Sequence, residues 1–257
     1  MKKKVLSAIV VLCIFIPLIL LGGIYFRIAI TMLSVLALKE FLDLSKNKNR
    51  PKYVEIILYA LVMVITYLNS DLNKYYYLTF LLPFLAVIYC NDNKKYNADD
   101  AFKYIAMTLL IGIVFHNAIQ IRNNSIWLFV YLLLIPILTD TYAQLGGMLI
   151  GKHKFAPKIS PNKTWEGTIT GAVFGTLCSS VFYYIAITPD VNVLGLLVIT
   201  LFLSCLGQLG DLFFSAIKRN HDVKDFSNLI PGHGGVLDRL DSIIFVIIGY
   251  ILLKGII

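Results

Sequence analysis

Long apolar runs broken by short polar stretches dominate this chain. Nine can be drawn, over residues 5–21, 24–44, 54–70, 75–91, 101–120, 126–150, 167–188, 191–217 and 236–254. As helices, runs of about 20 apolar residues cross roughly 30 Å of hydrocarbon. None shows the alternation of outward apolar and inward polar positions that a lipid-facing barrel strand needs. In lipid, every backbone amide and carbonyl must find an internal partner, which helices provide. The pattern predicts an all-α, polytopic integral membrane protein of about nine transmembrane helices. It reads as a single integral-membrane domain over residues 1–257, with the candidate chemistry gathered in the half at roughly 126–257. Pro17, Pro83 and Pro136 fall inside predicted spans and are expected to kink them. Lys2, Lys3 and Lys4 precede the first run, but no small-residue cleavage site follows it, so a retained first span is expected.

The breaks between runs are uneven in charge. With the N-terminus in the cytoplasm, the inner segments are Lys2–Lys4, SKNKNRPKY (45–53), DNKKYNADD (92–100), GKHKFAPKISPNKTWE (151–166) and SAIKRNHDVKDFSNLIPGHGGVLDRLD (215–241). The outer segments are then Gly22-Gly23, DLNK, IRNNS, Pro189-Asp190 and the C-terminus. Nearly every lysine and arginine falls on one side, as the positive-inside bias requires. Both of the longest polar loops therefore face the cytoplasm.

Composition supports this reading and narrows the function. The 257 residues are 58% apolar and 15% charged, far below the charge of a soluble domain. The net charge of +8 belongs with a membrane surface rather than with nucleic acid. Cys13, Cys90, Cys178 and Cys205 lie within apolar runs and share no ligand or pairing spacing, so they read as small hydrophobes. Nothing points to haem, flavin or covalent catalysis.

Candidate chemistry lies in the charges a lipid-embedded helix would avoid. Asp211 stands seven residues before Lys218, about 10 Å deeper along a helix. An ionised carboxylate at that depth costs about 2.5–3.5 kcal/mol unless it meets a cavity, a cation or a partner. Ser215 shares its face, four residues on. Asp238 and Asp241, three apart, open the next predicted span just after His233-Gly234-Gly235. One loop joins the two helices, so their cytoplasmic ends should be neighbours and the three acids should converge. Ligands that are all oxygen point to a hard cation, Mg²⁺ before zinc. Lys218, Arg219, Lys224, His233 and the Gly234-Gly235 amides suit phosphates. In the upstream loop, Ser160-Pro161-Asn162-Lys163-Thr164 reads as a turn, with Ser160, Asn162 and Lys163 as donors to phosphate or ribose. Asp140, mid-run in LLLIPILTDTYAQLGG, is a further candidate. Arg27, Lys39, Glu40 and Asp43 read as anchors or pairs within the second span.

The segment from Ser215 to Asp241 resembles, position by position, the signature of the phosphatidate cytidylyltransferases (CDP-diacylglycerol synthases). The matching elements are Ser215-x-Ile217-Lys218-Arg219, Lys224-Asp225, Ser227, Ile230-Pro231, His233-Gly234-Gly235 and Asp238-Arg239-x-Asp241. GQLGDLFFSAIKR and the Ser-Pro-x-Lys-Thr-x-Glu-Gly loop are also similar to that family, and so are the length and span count. Asp140-Thr141-Tyr142-Ala143-Gln144 departs from it in carrying bulkier, more polar residues at Tyr142 and Gln144.

The resemblance implies transfer of CMP from CTP to phosphatidic acid, giving CDP-diacylglycerol and pyrophosphate for phospholipid biosynthesis. It implies Asp211, Asp238 and Asp241 as ligands to Mg²⁺, with a second, monovalent cation such as K⁺ as a companion. Lys163, Lys218 and Arg219 would bind triphosphate or lipid phosphate, while Asp225 and His233 orient the loop or the nucleotide. The expected partners are CTP, phosphatidic acid, the lipid bilayer and a second copy of the chain, with no nucleic acid. The expected location is the cell membrane, crossed many times, with the active site facing the cytoplasm. A CDP-alcohol phosphotransferase is disfavoured because its Asp-Gly-x-x-Ala-Arg opening is absent. A transporter is disfavoured because the charges gather at one surface and no repeat is visible.

Overall fold

The computed structural model of the protein describes residues 2–44, 50–68, 79, 81–87, 96–232 and 234–254. Most of the predicted span 75–91, and His233, lie outside the described residues. The named helices are α1 (Lys2–Leu21), α2 (Gly23–Leu44), α3 (Lys52–Tyr67), α4 (Ala98–Asn124), α5 (Ile126–Ile150), α6 (Trp165–Ala186), α7 (Val193–Asn220) and α8 (Leu237–Leu253). Thr79 and residues 81–87 are also helical. Four of these helices, α4 to α7, are long and apolar enough to cross a membrane.

Predicted and observed boundaries agree for α5 and differ where polar residues extend a helix. Helix α4 begins three residues before the apolar run, because Asn97 accepts from the Asp100 amide at 2.9 Å and caps it. Helix α7 continues past its run through Lys218 and Arg219, whose charge suits a helix C-terminus. Hydropathy marks the hydrocarbon and not the helix end.

The chain packs as two compact units, Met1–Gln120 with Asp225–Leu237, and Ile121–Lys224 with Asp238–Ile257. In the first, Phe26, Ile30, Ser34, Ala37, Leu38 and Leu42 form the buried stripe of α2, which packs on α3. Thr66 donates to Ser34 at 3.2 Å across that contact. Arg50 ties the α2–α3 connection, donating to the Leu42 carbonyl at 2.7 Å and pairing with Glu55 at 2.6 Å.

In the second unit, α6 is inside-out by the standard of a soluble helix. Ile169, Val173, Leu177, Val181 and Ile185 are exposed, while Gly171, Gly175, Thr176, Ser179 and Ser180 are buried. Large apolar side chains outward and small or hydroxyl side chains inward are the arrangement of a helix solvated by lipid. The inward seam Gly167-Gly171-Gly175 lies against Thr139, Ala143 and Gly147 of α5. A methyl added at Gly171 would fall 2.6 Å from the Thr139 carbonyl oxygen, and one at Gly175 2.8 Å from the Thr139 Cα. Hydroxyls fix the register of the bundle: Tyr131 with Thr200 at 2.6 Å, Thr139 with Ser204 at 2.7 Å and Ser180 to Thr200 at 3.1 Å.

The segment expected as a turn at Ser160–Thr164 is instead a strand. It is β2 of a two-stranded antiparallel hairpin with β1 (Lys154–Ala156), paired Lys154 to Thr164 and Ala156 to Ser160. The turn falls at 157–159, where Ile159 donates back to the Ala156 carbonyl at 3.1 Å. Pro161 is tolerated because a two-stranded ribbon leaves alternate amides without a ladder partner. The described fold is therefore helical with one small hairpin.

The α5–α6 seam predicts that Gly171→Ala destabilises the purified protein by about 1–3 kcal/mol through overpacking. Gly195→Ala, whose added methyl would meet only Asn192 at 3.7 Å, should leave the detergent-solubilised thermal midpoint unchanged. Equal midpoints for the two variants would contradict the seam.

Candidate functional site

Helices α7 and α8 meet backbone to backbone at one point. A Cβ on Gly210 would sit 2.8 Å from both the Asp241 carbonyl oxygen and the Phe245 Cβ. Only glycine permits this approach, and it places Asp211, the next residue, beside Asp241. One step along the same contact, Gly207 lies against Val246 and faces Pro136 of α5. Helix α5 is held on that side by the Thr139–Ser204 bond. Asp140, adjacent to Thr139, lies near Ser242 and within Coulombic reach of Asp211 and Lys163. Asp241 lies within reach of Asp211, Asp140 and Lys218. Helices α5, α7 and α8 thus deliver three carboxylates to one place.

Two lysines balance them in part. Lys163 on β2 reaches Asp211 at 2.5 Å, and Ser215 donates to the same carboxylate at 3.3 Å. Lys218 pairs with Asp238 at 2.7 Å, their side chains only 9% and 4% exposed. Asp238, expected to share a cluster with Asp211 and Asp241, is turned to this lysine, and Lys218 links it to Asp241. Asp241 itself is buried and accepts from the Ser242 amide at 2.7 Å. Asp140, Asp211, Asp238 and Asp241 thus gather around Lys163 and Lys218.

The hairpin that carries Lys163 is held at both ends. Thr164 caps α6 by accepting from the Gly167 amide at 3.2 Å, and the Trp165 amide donates to the His153 carbonyl at 2.9 Å. Glu166 accepts from the His153 ring at 2.6 Å and from the Lys152 and His153 amides. Arg219, expected among the phosphate-binding residues, donates to the Ile159 and Val223 carbonyls at 3.2 and 2.8 Å. It ties the end of α7 to the hairpin turn. Ser160 is half-buried on β2, whereas Asn162, Lys224 and Asp225 are exposed.

In the other unit, Gly234 has φ +78°, a left-handed conformation that favours glycine, and its carbonyl accepts from Ile230 at 2.9 Å. Gly235 abuts the carboxylate of Glu40, which also accepts from Ser227, Val236 and Leu237. Glu40 was expected to pair within its own span. Its partners instead lie nearly two hundred residues away in sequence, a separation that helical spacing cannot reveal.

The cytidylyltransferase family model matches residues 2–256 of this chain. Among the relatives, a protein of Staphylococcus haemolyticus (strain JCSC1435) named phosphatidate cytidylyltransferase is 36% identical, with 96% of each chain covered. Proteins of the same name from Staphylococcus aureus (strain COL) and Staphylococcus epidermidis (strain ATCC 35984) are 37% and 36% identical, again over 96% of each chain. With a match running essentially from end to end, and with acids and lysines brought together on its packed helices, the chain belongs to the cytidylyltransferase family.

Proposed function

We propose that the chain is a phosphatidate cytidylyltransferase of the cell membrane. It transfers CMP from CTP to phosphatidic acid, giving CDP-diacylglycerol and pyrophosphate for phospholipid biosynthesis. The observation that carries this reading is the meeting of Asp140, Asp211 and Asp241 with Lys163 of the hairpin and Lys218, where Asp140, Asp211 and Lys218 sit on helices of membrane length, in a chain whose relatives bear that name. The unequal distribution of lysine and arginine among the loops supports nine spans with the N-terminus and both long polar loops in the cytoplasm. CTP then enters from water while acyl chains stay among the helices. A second copy of the chain is the proposed partner.

The residues present fit Mg²⁺. The donors are carboxylate oxygens, which suit a hard cation. Among the described residues, no three His, Cys, Asp or Glu side chains stand close enough to enclose an ion alone. That suits a cation which takes one or two protein carboxylates and completes its octahedron with phosphate oxygens and water. Asp211 and Asp241 would hold it, with Asp238 fixing Lys218 beside them, and when bound it would withdraw negative charge from the phosphates. A monovalent companion such as K⁺ belongs to the same proposal.

The phosphate of phosphatidic acid is already ionised, so the reaction needs no general base. One of its oxygens bonds to the α-phosphorus of CTP while the bond from that phosphorus to the bridging oxygen breaks in line. The electron pair leaves with pyrophosphate. What the protein supplies is alignment and charge. Lys163, at the accessible edge of the site, exchanges Asp211 for a phosphate oxygen. Lys218, held by Asp238, keeps a positive charge beside Asp241. Arg219 holds the hairpin so that Lys163 stays within reach. Ser160, Asn162 and Lys224 offer further donors to nucleotide or lipid phosphate, and Asp225 and His233 orient the loop.

Purified protein given radiolabelled CTP and phosphatidic acid should form label that partitions into organic solvent, with pyrophosphate released. A chelator should stop it and Mg²⁺ restore it; label confined to the aqueous phase would refute the activity. Asp211→Asn should lower turnover by about 10²-fold or more and leave the thermal midpoint nearly unchanged. Asp238→Asn should behave differently, because it strands a buried ammonium. It should destabilise the protein by about 3–5 kcal/mol, seen as an early thermal midpoint as well as lost turnover.

A further inference from the structure

The start of α8 lacks a cap of its own. The residue before Leu237 is Val236, and valine is among the poorest residues at a helix N-cap because it offers no acceptor to the first amides. Two amides at this end are met instead by a side chain of α2. One oxygen of Glu40 accepts from the Val236 amide at 2.8 Å, and the other accepts from the Leu237 amide at 2.9 Å. The Ser227 hydroxyl donates to the first oxygen at 2.6 Å. Glu40 is 5% exposed. A buried carboxylate is tolerated when several donors meet it and a helix N-terminus supplies positive potential. Gly235 completes the arrangement, since a Cβ there would lie 2.5 Å from both oxygens of Glu40. Gly235 before α8 therefore already faces an anion, and that anion is a side chain of α2.

We propose that Glu40 is a positioning residue for cytidylyl transfer. It holds Ser227, Val236 and Leu237 and thereby sets where α8 begins, with Asp238 and Asp241 on its first two turns. The inference rests on the cytidylyltransferase reading for its kinetic consequence. A glutamine at position 40 keeps the size of the side chain, but its NH₂ group cannot accept from an amide, so one end of the clamp opens. A merely structural role would change how much protein folds and leave turnover per folded molecule alone.

The test uses the full chain in detergent, as wild type, Glu40→Gln, Glu40→Asp and Gly235→Ala. The first readout is kcat and KM for CTP per folded molecule; the second is amide exchange over residues 227–241. Glu40→Gln should lower kcat roughly ten- to a hundred-fold, the scale expected when reacting groups shift by about an ångström. Exchange at Val236 and Leu237 should accelerate while α3 and α4 stay protected. Glu40→Asp, which retains the carboxylate, should recover part of both. Gly235→Ala should reproduce the Glu40→Gln phenotype, and pairing it with Glu40→Ala should restore the thermal midpoint without restoring turnover. Unchanged exchange at Val236 and Leu237 in Glu40→Gln, or unchanged kcat in an active preparation, would overturn the proposal. A wild-type chain that never turns over would count against the cytidylyltransferase reading alone, and the exchange readout would still decide the role of Glu40.

Discussion

Charge held among apolar helices must be balanced locally, because neither lipid nor packed side chains can solvate it. Asp140, Asp211, Asp238 and Asp241 meet that demand through Lys163, Lys218 and the hydroxyls of Ser215 and Ser242. Position follows from balance: α5, α7, α8 and the hairpin each carry one side of an interaction the others need. The hairpin is held by Glu166 and Arg219 so that Lys163 reaches Asp211, and the end of α7 is placed so that Lys218 reaches Asp238. An apolar core alone would leave these elements free to slide.

Small residues make the balance geometrically possible. Gly210 lets α7 and α8 touch at the backbone, and the Gly167-Gly171-Gly175 seam does the same for α5 and α6. In a membrane there is little hydrophobic gain from bringing helices together, so contact comes from close packing and interhelical hydrogen bonds. The Thr139–Ser204 and Tyr131–Thr200 bonds supply the latter. The same glycines that look featureless in a hydropathy profile determine which acids become neighbours.

Much of this was legible in the residues. The apolar runs located α2, α3 and α5 to α8 within a few residues, because burial in lipid leaves a contiguous signal. The spacing of Asp211, Ser215 and Lys218 placed them correctly along one helix, and the acids at 238 and 241 announced the start of the next. What escaped notice depends on pairings distant in sequence. Lys163 and Asp211 are 48 residues apart, and nothing local says that one neutralises the other. The strand at Ser160–Thr164 was hidden by Pro161, which reads as a turn unless the ribbon's free edge is known. Asp238 and Asp241 share one helix face, and the pairing of Asp238 with Lys218, 20 residues earlier, is equally invisible to local spacing.

The Lys163–Asp211 contact has a consequence for selectivity. A bare anion that captures the ammonium leaves Asp211 stripped of its counter-charge at a half-buried position, a loss that offsets much of the attraction. An anion that arrives already chelated to a cation replaces both partners in one event. For the proposed cytidylyl transfer, such a resting contact would disfavour stray phosphate and favour phosphate that brings its own positive charge.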